Sequence, residues 1–287
     1  MQNETLPGGL RLQQALRHNS CQRRKHDPWK PFAFDMRLTI FLLISMSIIG
    51  AMARTCSAQA GPPLLTDDPG TPGKGHWEIN FAATISQTRA DRLLGAPLVD
   101  VNYGLGDRIQ LKAEVPWLFL RPRDGGAVQS GPGSANIGVK WRPLDQDRHG
   151  FSMSLYPQFE FRTSAASARK HLIESEAELR LPVELSREFG KLAIDAELGY
   201  QFVRHAEDEW IYGVAVSRKF NERLEVLGEI HVEAKRDLTE SEPIFNVGER
   251  MKLSRHCTLL LSVGRSLRAA SSGQPTFVAY TGLQLHF

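Results

Sequence analysis

The main feature of the sequence is an alternation of apolar and polar side chains that begins at His76 and continues to the carboxyl end. In residues 177–184, for example, Leu179, Leu181 and Val183 share one face, and the charged residues Glu178, Arg180 and Glu184 share the other. A two-residue period places one set of side chains on each face of a β-strand, whereas a helix would spread the charges around its circumference. About twelve such segments follow one another, so we predict an all-β protein.

The connections between these segments alternate in length along the chain. Connections after the even-numbered segments are short or turn-like, as at residues 104–108 and 220–223, whereas most of the others are longer, as at 121–133 and 163–171. Bacterial transmembrane barrels have short turns at the periplasmic end, long loops outside and an even number of strands. We therefore predict a transmembrane antiparallel β-barrel of about twelve strands in residues 76–287, with both ends in the periplasm.

Composition alone resembles that of a soluble protein, because 41% of the residues are hydrophobic and the mean hydropathy is −0.29. Transmembrane barrels share this composition, since half of each strand is polar. In a water-soluble barrel the apolar faces would instead fill a core. Twelve strands enclose more space than apolar side chains fill, and the other face is charged, which favours an arrangement with the apolar side chains facing lipid.

Only residues 38–53 are apolar enough to suggest a membrane helix. They follow Met36 and Arg37 and precede a small-x-small sequence that ends at Ala60, so we predict a cleavable signal peptide at residues 36–60. A retained N-terminal anchor is the alternative. Residues 1–35 are rich in Arg and Gln without any period, and we interpret them as a disordered upstream extension that is not native.

Charge and cysteine content change little once the signal peptide is removed. Part of the net charge of +3 comes from the upstream residues, so it does not indicate nucleic-acid binding. Cys21 and Cys56 precede the predicted cleavage point, which leaves Cys257 without a disulfide partner. A lipid attached to Cys56 is disfavoured because Arg54 stands where a small residue is expected.

Residues 61–75 are rich in proline and glycine, and their four prolines exclude both a helix and a sheet interior. We predict an extended periplasmic lead-in. Asp67 and Asp68 in this segment could bind calcium, although an acidic turn bounded by proline is the simpler interpretation.

The predicted face opposite the apolar one is charged and rich in acids. These side chains would face the lumen, where they could pair into a plug or line a narrow aqueous path. The candidate lumen-lining residues are Lys112, Glu114, Lys140, Arg142, Glu160, Arg162, Glu176, Glu178, Arg180, Asp195, Glu197, Glu229, His231 and Glu233. The same face includes Asp100, Glu184, Glu225 and Arg250.

No motif in the sequence indicates catalysis, since nucleophile-elbow spacing, HExxH and a phosphate loop are all absent. His149, His171 and His205 fall in or beside predicted loops, where a solvated histidine is the simpler interpretation. His76 has no second metal ligand at useful spacing. We expect no catalytic residue, no metal and no cofactor.

The last eight residues resemble the C-terminal signal by which the bacterial barrel-assembly machinery recognises outer-membrane proteins. They contain Tyr280, then Gly282, the apolar Leu285 and the terminal aromatic Phe287. A solvated sheet could also end in this way by chance. The resemblance implies a bacterial outer-membrane location, with lipid and the assembly machinery as partners.

A second resemblance rests on residues 62–69 (Pro-Pro-Leu-Leu-Thr-Asp-Asp-Pro), on 76–78 (His-Trp-Glu) and on the turn at 103–111. These residues are similar to the family named for the meta-pathway of phenol degradation, over about residues 61–287. The resemblance implies an outer-membrane barrel that admits small, often aromatic or hydrophobic, compounds, and it implies no catalytic residues.

These observations together predict a channel or uptake porin for small solutes, possibly aromatic or hydrophobic ones. The alternative is a non-conducting barrel with a structural or surface role. An outer-membrane enzyme is a third class, and it would need a serine, a histidine and an acid to converge at one rim.

Overall fold

The computed structural model describes residues 61–173, 177–268 and 275–287. The predicted signal peptide at 36–60, the upstream residues 1–35 and the candidate lumen residue Glu176 lie outside the described residues. The strands of the described part are β1 (Trp77–Gln87), β2 (Asp91–Gly104), β3 (Ile109–Pro122), β4 (Gln129–Pro132), β5 (Ala135–Leu144), β6 (Ser152–Leu155), β7 (Gln158–Phe161), β8 (Ala177–Phe189), β9 (Leu192–Val203), β10 (Glu209–Lys219), β11 (Leu224–Lys235), β12 (Ser241–Lys252), β13 (Cys257–Ser266) and β14 (Phe277–His286).

The described residues also contain two short helices, α1 (Gln146–His149) and α2 (Ala165–Arg169). Neither helix is long and apolar enough to cross a membrane. Helix α1 lies in the connection between β5 and β6, and α2 lies in the connection between β7 and β8.

The fourteen strands of the described residues form one antiparallel barrel. They make twelve crossings of the barrel wall, which we call staves, because two of the crossings are each divided into two strands. β3 pairs with both β4 and β5, which are therefore two parts of one stave. β8 pairs in the same way with β6 and β7. Pro157 separates these two strands, because it has no N–H group to donate to the ladder. The predicted barrel of about twelve strands is confirmed.

The barrel closes where β14 pairs with β1, from Glu78 opposite His286 to Gln87 opposite Phe277. Beyond this ladder, the backbones of Trp77 and Phe287 exchange two hydrogen bonds of 3.0 Å. The last residue thus completes the seam. A closed sheet leaves no strand edge unpaired. A sheet that spans a membrane requires this, because hydrocarbon offers no hydrogen-bond partner to an unpaired backbone group.

The outer surface is apolar and the inner surface is polar. On β9, Leu198 and Phe202 are exposed, whereas Asp195 and Glu197 are buried. Exposed aromatic residues lie toward both ends of the staves: Trp77, Trp141 and Phe287 at one end, and Trp117, Phe202 and Phe245 toward the other. An apolar band with aromatic residues at its edges is the outer surface of a transmembrane barrel.

We name the two ends of the barrel after the length of the connections that they carry. The short-turn end carries Trp77, Phe287 and connections such as residues 105–108 and 253–256. The long-loop end carries connections such as the one between β7 and β8, which includes α2. The predicted loop at 121–133 is wrong in part, because it contains β4, whose residues extend the ladder of β3 toward the long-loop end.

Removal of Phe287 is expected to lower the amount of folded barrel in the outer membrane severalfold. The deletion removes the two backbone bonds to Trp77 that complete the closing seam, together with the terminal aromatic side chain. The measurement is the heat-modifiable fraction on a gel of outer-membrane preparations, with Phe287→Tyr as the conservative control. Equal amounts of folded protein with and without Phe287 would show that this residue has no part in assembly.

The predicted periplasmic lead-in is wrong in its position. Residues 61–73, which we call the plug, lie inside the barrel and contact lumen side chains on several staves. The prolines keep this segment out of any strand, as expected. Its unpaired backbone groups and its acidic side chains instead find partners on the charged lumen wall.

Candidate functional site

Lumen carboxylates hold the plug through its backbone N–H groups. The Glu229 carboxylate on β11 accepts hydrogen bonds from the N–H of Leu65 at 2.8 Å and from that of Thr66 at 2.7 Å. Glu197 on β9 accepts one from the N–H of Asp67 at 3.1 Å. Donors that have no strand partner are thus satisfied by side-chain oxygen atoms of the lumen wall.

Donors on two neighbouring staves hold the carbonyl groups of the plug. The Arg250 guanidinium on β12 donates to the carbonyl oxygens of Gly61 at 3.0 Å and of Pro62 at 3.3 Å. The Ser262 hydroxyl on β13 donates to the carbonyl oxygen of Pro63 at 2.7 Å. These contacts recognise main-chain atoms, so they fix the path of the plug more than they select its side chains.

Lys140 on β5 is the most deeply buried cation among the described candidate lumen residues, with 2% of its side chain exposed. Its ammonium group lies 3.0 Å from the Asp67 carboxylate of the plug and 3.2 Å from the Glu184 carboxylate on β8. It also donates to the carbonyl oxygen of Asp68 and lies 4.4 Å from the centre of the Tyr156 ring. Lys140 therefore joins the plug to two staves of the barrel.

The charge of Asp67 is stabilised by the lysines near it. Burial acts to raise the pKa of the Asp67 carboxyl, but the positive charges of Lys140 and Lys112 outweigh it and hold this pKa below its ordinary value. Asp67 therefore stays ionised at neutral pH. An anionic plug side chain is matched to a cationic lumen side chain, which opposes its release into water.

The plug packs against a stave with small inward side chains. Leu64 forms a buried cluster with Ala215 on β10 and Leu227 on β11. A Cβ atom added at Gly213, also on β10, would lie 2.2 Å from the Oγ1 atom of Thr66. Any residue larger than glycine at position 213 would therefore collide with the plug.

A hydrogen-bonded network covers the lumen face of β1, β2 and β3. The side-chain amides of Asn80 and Asn102 donate to the Asp100 carboxylate at 2.9 and 3.0 Å. The Gln110 amide donates to Asn102 at 2.8 Å and to the Tyr156 hydroxyl at 3.3 Å. This part of the wall is polar, and Tyr156 connects it to Lys140.

The candidate lumen residues lie at different depths. Those that are buried inside the barrel are Lys140, Asp195, Glu197, Glu229 and His231. Those that are half-buried are Lys112, Glu114, Arg142, Glu160, Glu178, Arg180 and Glu233. Arg162 is exposed and follows the last residue of β7. Glu229, Glu197 and Lys140 of the buried group form hydrogen bonds to the plug.

A cavity of about 620 Å³ opens at the short-turn end, below the plug. Its lining includes Asp68 and Thr71 of the plug and Arg142, Asp195 and Arg250 of the wall. The cavity shows that side chains do not fill the lumen at this end. The plug therefore separates a polar space at the short-turn end from the half of the lumen nearer the loops.

The lumen nearer the long-loop end has two unlike walls. On one side, Arg180 on β8 donates to Gln201 at 3.0 Å and pairs with Glu233 at 3.5 Å. On the other side, the inward positions of β2 and β3 carry four half-buried, uncharged residues, Leu93, Leu98, Leu118 and Leu120. In the ladder between these strands, Leu93 lies opposite Leu120 and Leu98 lies opposite Pro116. Toward the long-loop end, the lumen thus has one charged wall and one apolar wall.

Sequence reasoning missed the plug, although one stave carried a signal of it. The segment near residues 210–217 is apolar on both faces, so the alternation of side chains does not show which face is inward. In the structure, Val214 and Val216 are exposed outside, while Ala215 is buried inside against Leu64. An apolar inward face in an otherwise charged lumen marks the place where another part of the chain packs.

No group of three or more His, Cys, Asp and Glu side chains within the described ranges could hold a metal ion. Asp67 and Asp68, considered above as calcium ligands, have other roles. The Asp67 carboxylate pairs with Lys140, and the Asp68 carboxylate accepts a hydrogen bond of 2.6 Å from the N–H of Gly70. Cys257 is a free cysteine and half-buried.

Comparison with known structures defines the fold. The COG4313 outer membrane channel from Pseudomonas putida F1 is similar over 80% of this chain and 100% of that chain, with a TM-score of 0.61 and 12% identity. The NanC porin (TM-score 0.54, 8% identity) and the KdgM porin (TM-score 0.52, 13% identity) match 72% and 73% of this chain, and 98% and 99% of their own. The chain has the fold of an outer-membrane β-barrel. No protein-family model and no curated protein matches it.

Proposed function

We propose that the protein is a bacterial outer-membrane channel for the uptake of small solutes, and that the plug closes it at rest. This proposal is based on how the lumen is closed. A separate segment, residues 61–73, fills it, and non-covalent bonds from the wall hold that segment in place. A closure of this kind can be displaced without unfolding the barrel. The solved structures that share the fold are named as a channel and two porins, which supports the proposal.

We further propose the orientation and the partners. The apolar outer band places the staves in lipid, and the short-turn end would face the periplasm. The barrel-assembly machinery would recognise Tyr280, Gly282, Leu285 and Phe287. No nucleic acid, catalytic residue or cofactor has a part in this proposal.

For the solute, we propose small aromatic or hydrophobic compounds. The resemblance to the family of the meta-pathway of phenol degradation supports this class. So does the apolar wall formed by Leu93, Leu98, Leu118 and Leu120, because apolar side chains facing a lumen offer a surface to solutes of the same character.

A second candidate function is a permanently closed barrel with a structural or surface role. The number of buried contacts to the plug favours it, since Lys140, Glu229, Arg250 and Ser262 all hold the same short segment. In that case the lumen charges would serve only to fix the plug.

Gly213→Val is expected to displace the plug and to raise single-channel conductance severalfold above that of the unmodified protein. The valine side chain would occupy the place of Thr66, while the barrel ladder would remain intact because valine is well suited to a strand. The measurement is conductance in a planar lipid bilayer with refolded protein of confirmed heat-modifiable mobility.

Gly228→Val is the matched control for this experiment. Gly228 lies on the adjacent strand and faces outward, and the nearest atom to an added Cβ is the carbonyl oxygen of Asn246 at 3.7 Å. We expect this variant to conduct like the unmodified protein. If both variants and the unmodified protein are silent when folded, the permanently closed barrel is the correct function.

A further inference from the structure

The leucines on the lumen face of β2 and β3 are unusual for their position. Leu118 shares the inward parity of Gln110, which is buried in the lumen network, whereas Trp117 beside it is exposed outside. Leu93, opposite Leu120, lies on the same inner surface. Apolar side chains that face water lack the stabilisation that burial gives, so an apolar surface in the lumen implies that something apolar covers it.

Part of the cover comes from the connection that contains α2. Leu172 and Ile173, just after α2, are 6% and 7% exposed. A Cβ atom added at Gly131 on β4 would lie 3.2 Å from a methyl carbon of Leu172 and 2.6 Å from the Ser167 hydroxyl. Because Gly131 is opposite Leu118, residues 163–173 fold inward and lie against the same wall as the leucines.

Two hydrogen bonds at the rim attach this inward-folded connection to residues 130–133. The Thr163 hydroxyl donates to the carbonyl oxygen of Gly133 at 2.6 Å, and the exposed Lys170 ammonium donates to that of Ser130 at 2.8 Å. An exposed lysine of this kind contributes little stability. Residues 163–173 therefore cover the leucines mainly through apolar contact, and an apolar solute could replace this contact.

We propose that Leu93, Leu98, Leu118, Leu120, Leu172 and Ile173 form a binding site for an uncharged apolar solute of ring size. The site rests on the proposed uptake function and deepens it, because it gives the solute a place between the long-loop end and the plug. The opposite wall, with the Arg180–Glu233 ion pair, disfavours a second apolar contact and so orients the solute toward the leucines.

The test is protection of an engineered thiol by a defined probe, naphthalene. In a Cys257→Ser background, Leu118→Cys is labelled with a small water-soluble maleimide, with and without naphthalene. The expected result is labelling that is about tenfold slower when naphthalene is present at ten times its dissociation constant, because bound solute excludes the reagent. Folding of each variant is checked by heat-modifiable gel mobility, and Leu120→Cys replaces Leu118→Cys if the latter does not fold.

Glu233→Cys in the same background is the matched control, since it faces the same half of the lumen from the charged wall. Its labelling rate should not change with naphthalene. Equal slowing at both positions, or no slowing at Leu118→Cys, would overturn the site. So would a failure of the reagent to reach either Leu118→Cys or Leu120→Cys in folded protein, because the leucines would then only pack against residues 163–173.

This experiment and the conductance experiment fail independently. Protection at Leu118→Cys together with a silent Gly213→Val barrel would support the site and remove the channel. Conductance without protection would support the channel and remove the site.

Discussion

Lys140→Met is expected to destabilise the folded barrel by about 3–5 kcal/mol, because it removes one partner of a buried ionic cluster and leaves the other charges unpaired. The variant leaves the Asp67 and Glu184 carboxylates facing each other without the ammonium group that lies 3.0 and 3.2 Å from them. Methionine has a similar length, so lost packing contributes little. The free energy of unfolding can be measured by denaturant titration of protein folded in lipid vesicles.

Two further variants test whether charge is the reason. Lys140→Arg keeps the positive charge and should recover most of the lost stability. Lys140→Met combined with Glu184→Gln removes one of the unpaired carboxylates and should be more stable than Lys140→Met alone. A loss below about 1 kcal/mol for Lys140→Met would mean that water reaches the cluster and that Lys140 does not hold the plug.

Leu198→Arg is expected to impair folding into lipid by about 2–4 kcal/mol, the cost of an arginine on the lipid face near mid-depth. Leu198 is 56% exposed on the outside of β9 and pairs with Val183 and Tyr212 in the middle of their staves. The same vesicle titration measures the effect. The size of this loss in folding free energy shows directly whether the outer surface contacts lipid.

Glu178→Arg is the control on the lumen side. Glu178 accepts a hydrogen bond from Gln201 at 2.8 Å and does not contact hydrocarbon, so the substitution should cost less than about 1 kcal/mol. If the barrel conducts, this variant should also shift ion preference toward anions, which reversal potentials in a salt gradient would detect. Equal costs for Leu198→Arg and Glu178→Arg would contradict an apolar outer face in lipid.

The structure also shows why a proline-rich segment suits a plug. Four prolines reduce the conformational freedom that residues 61–73 lose when they enter the lumen. They also prevent the segment from adding a strand to the sheet, since proline cannot donate to a ladder. The remaining N–H and carbonyl groups are then left for Glu229, Arg250 and Ser262 on the wall.

Some of the candidate site could be predicted from the sequence, and some could not. The parity of Glu197 and Glu229 placed them on the face opposite the apolar one, and both are buried inside the barrel. Nothing in the sequence indicates that their carboxylates bind the backbone of the plug. Leu118 and Leu120 were also missed, because the lumen face was predicted to be charged, whereas these inward positions of β3 are apolar.

The amino-acid pattern was sufficient to predict which side chains share a face, where the short and long connections fall and that the strands close into a barrel. These properties follow from a two-residue period, which is local and needs no knowledge of distant contacts. Only the tertiary structure decided that the plug lies inside the lumen. Its contacts join residues such as Thr66 and Glu229, 163 positions apart, and such pairs are set by the closure of the barrel around the segment.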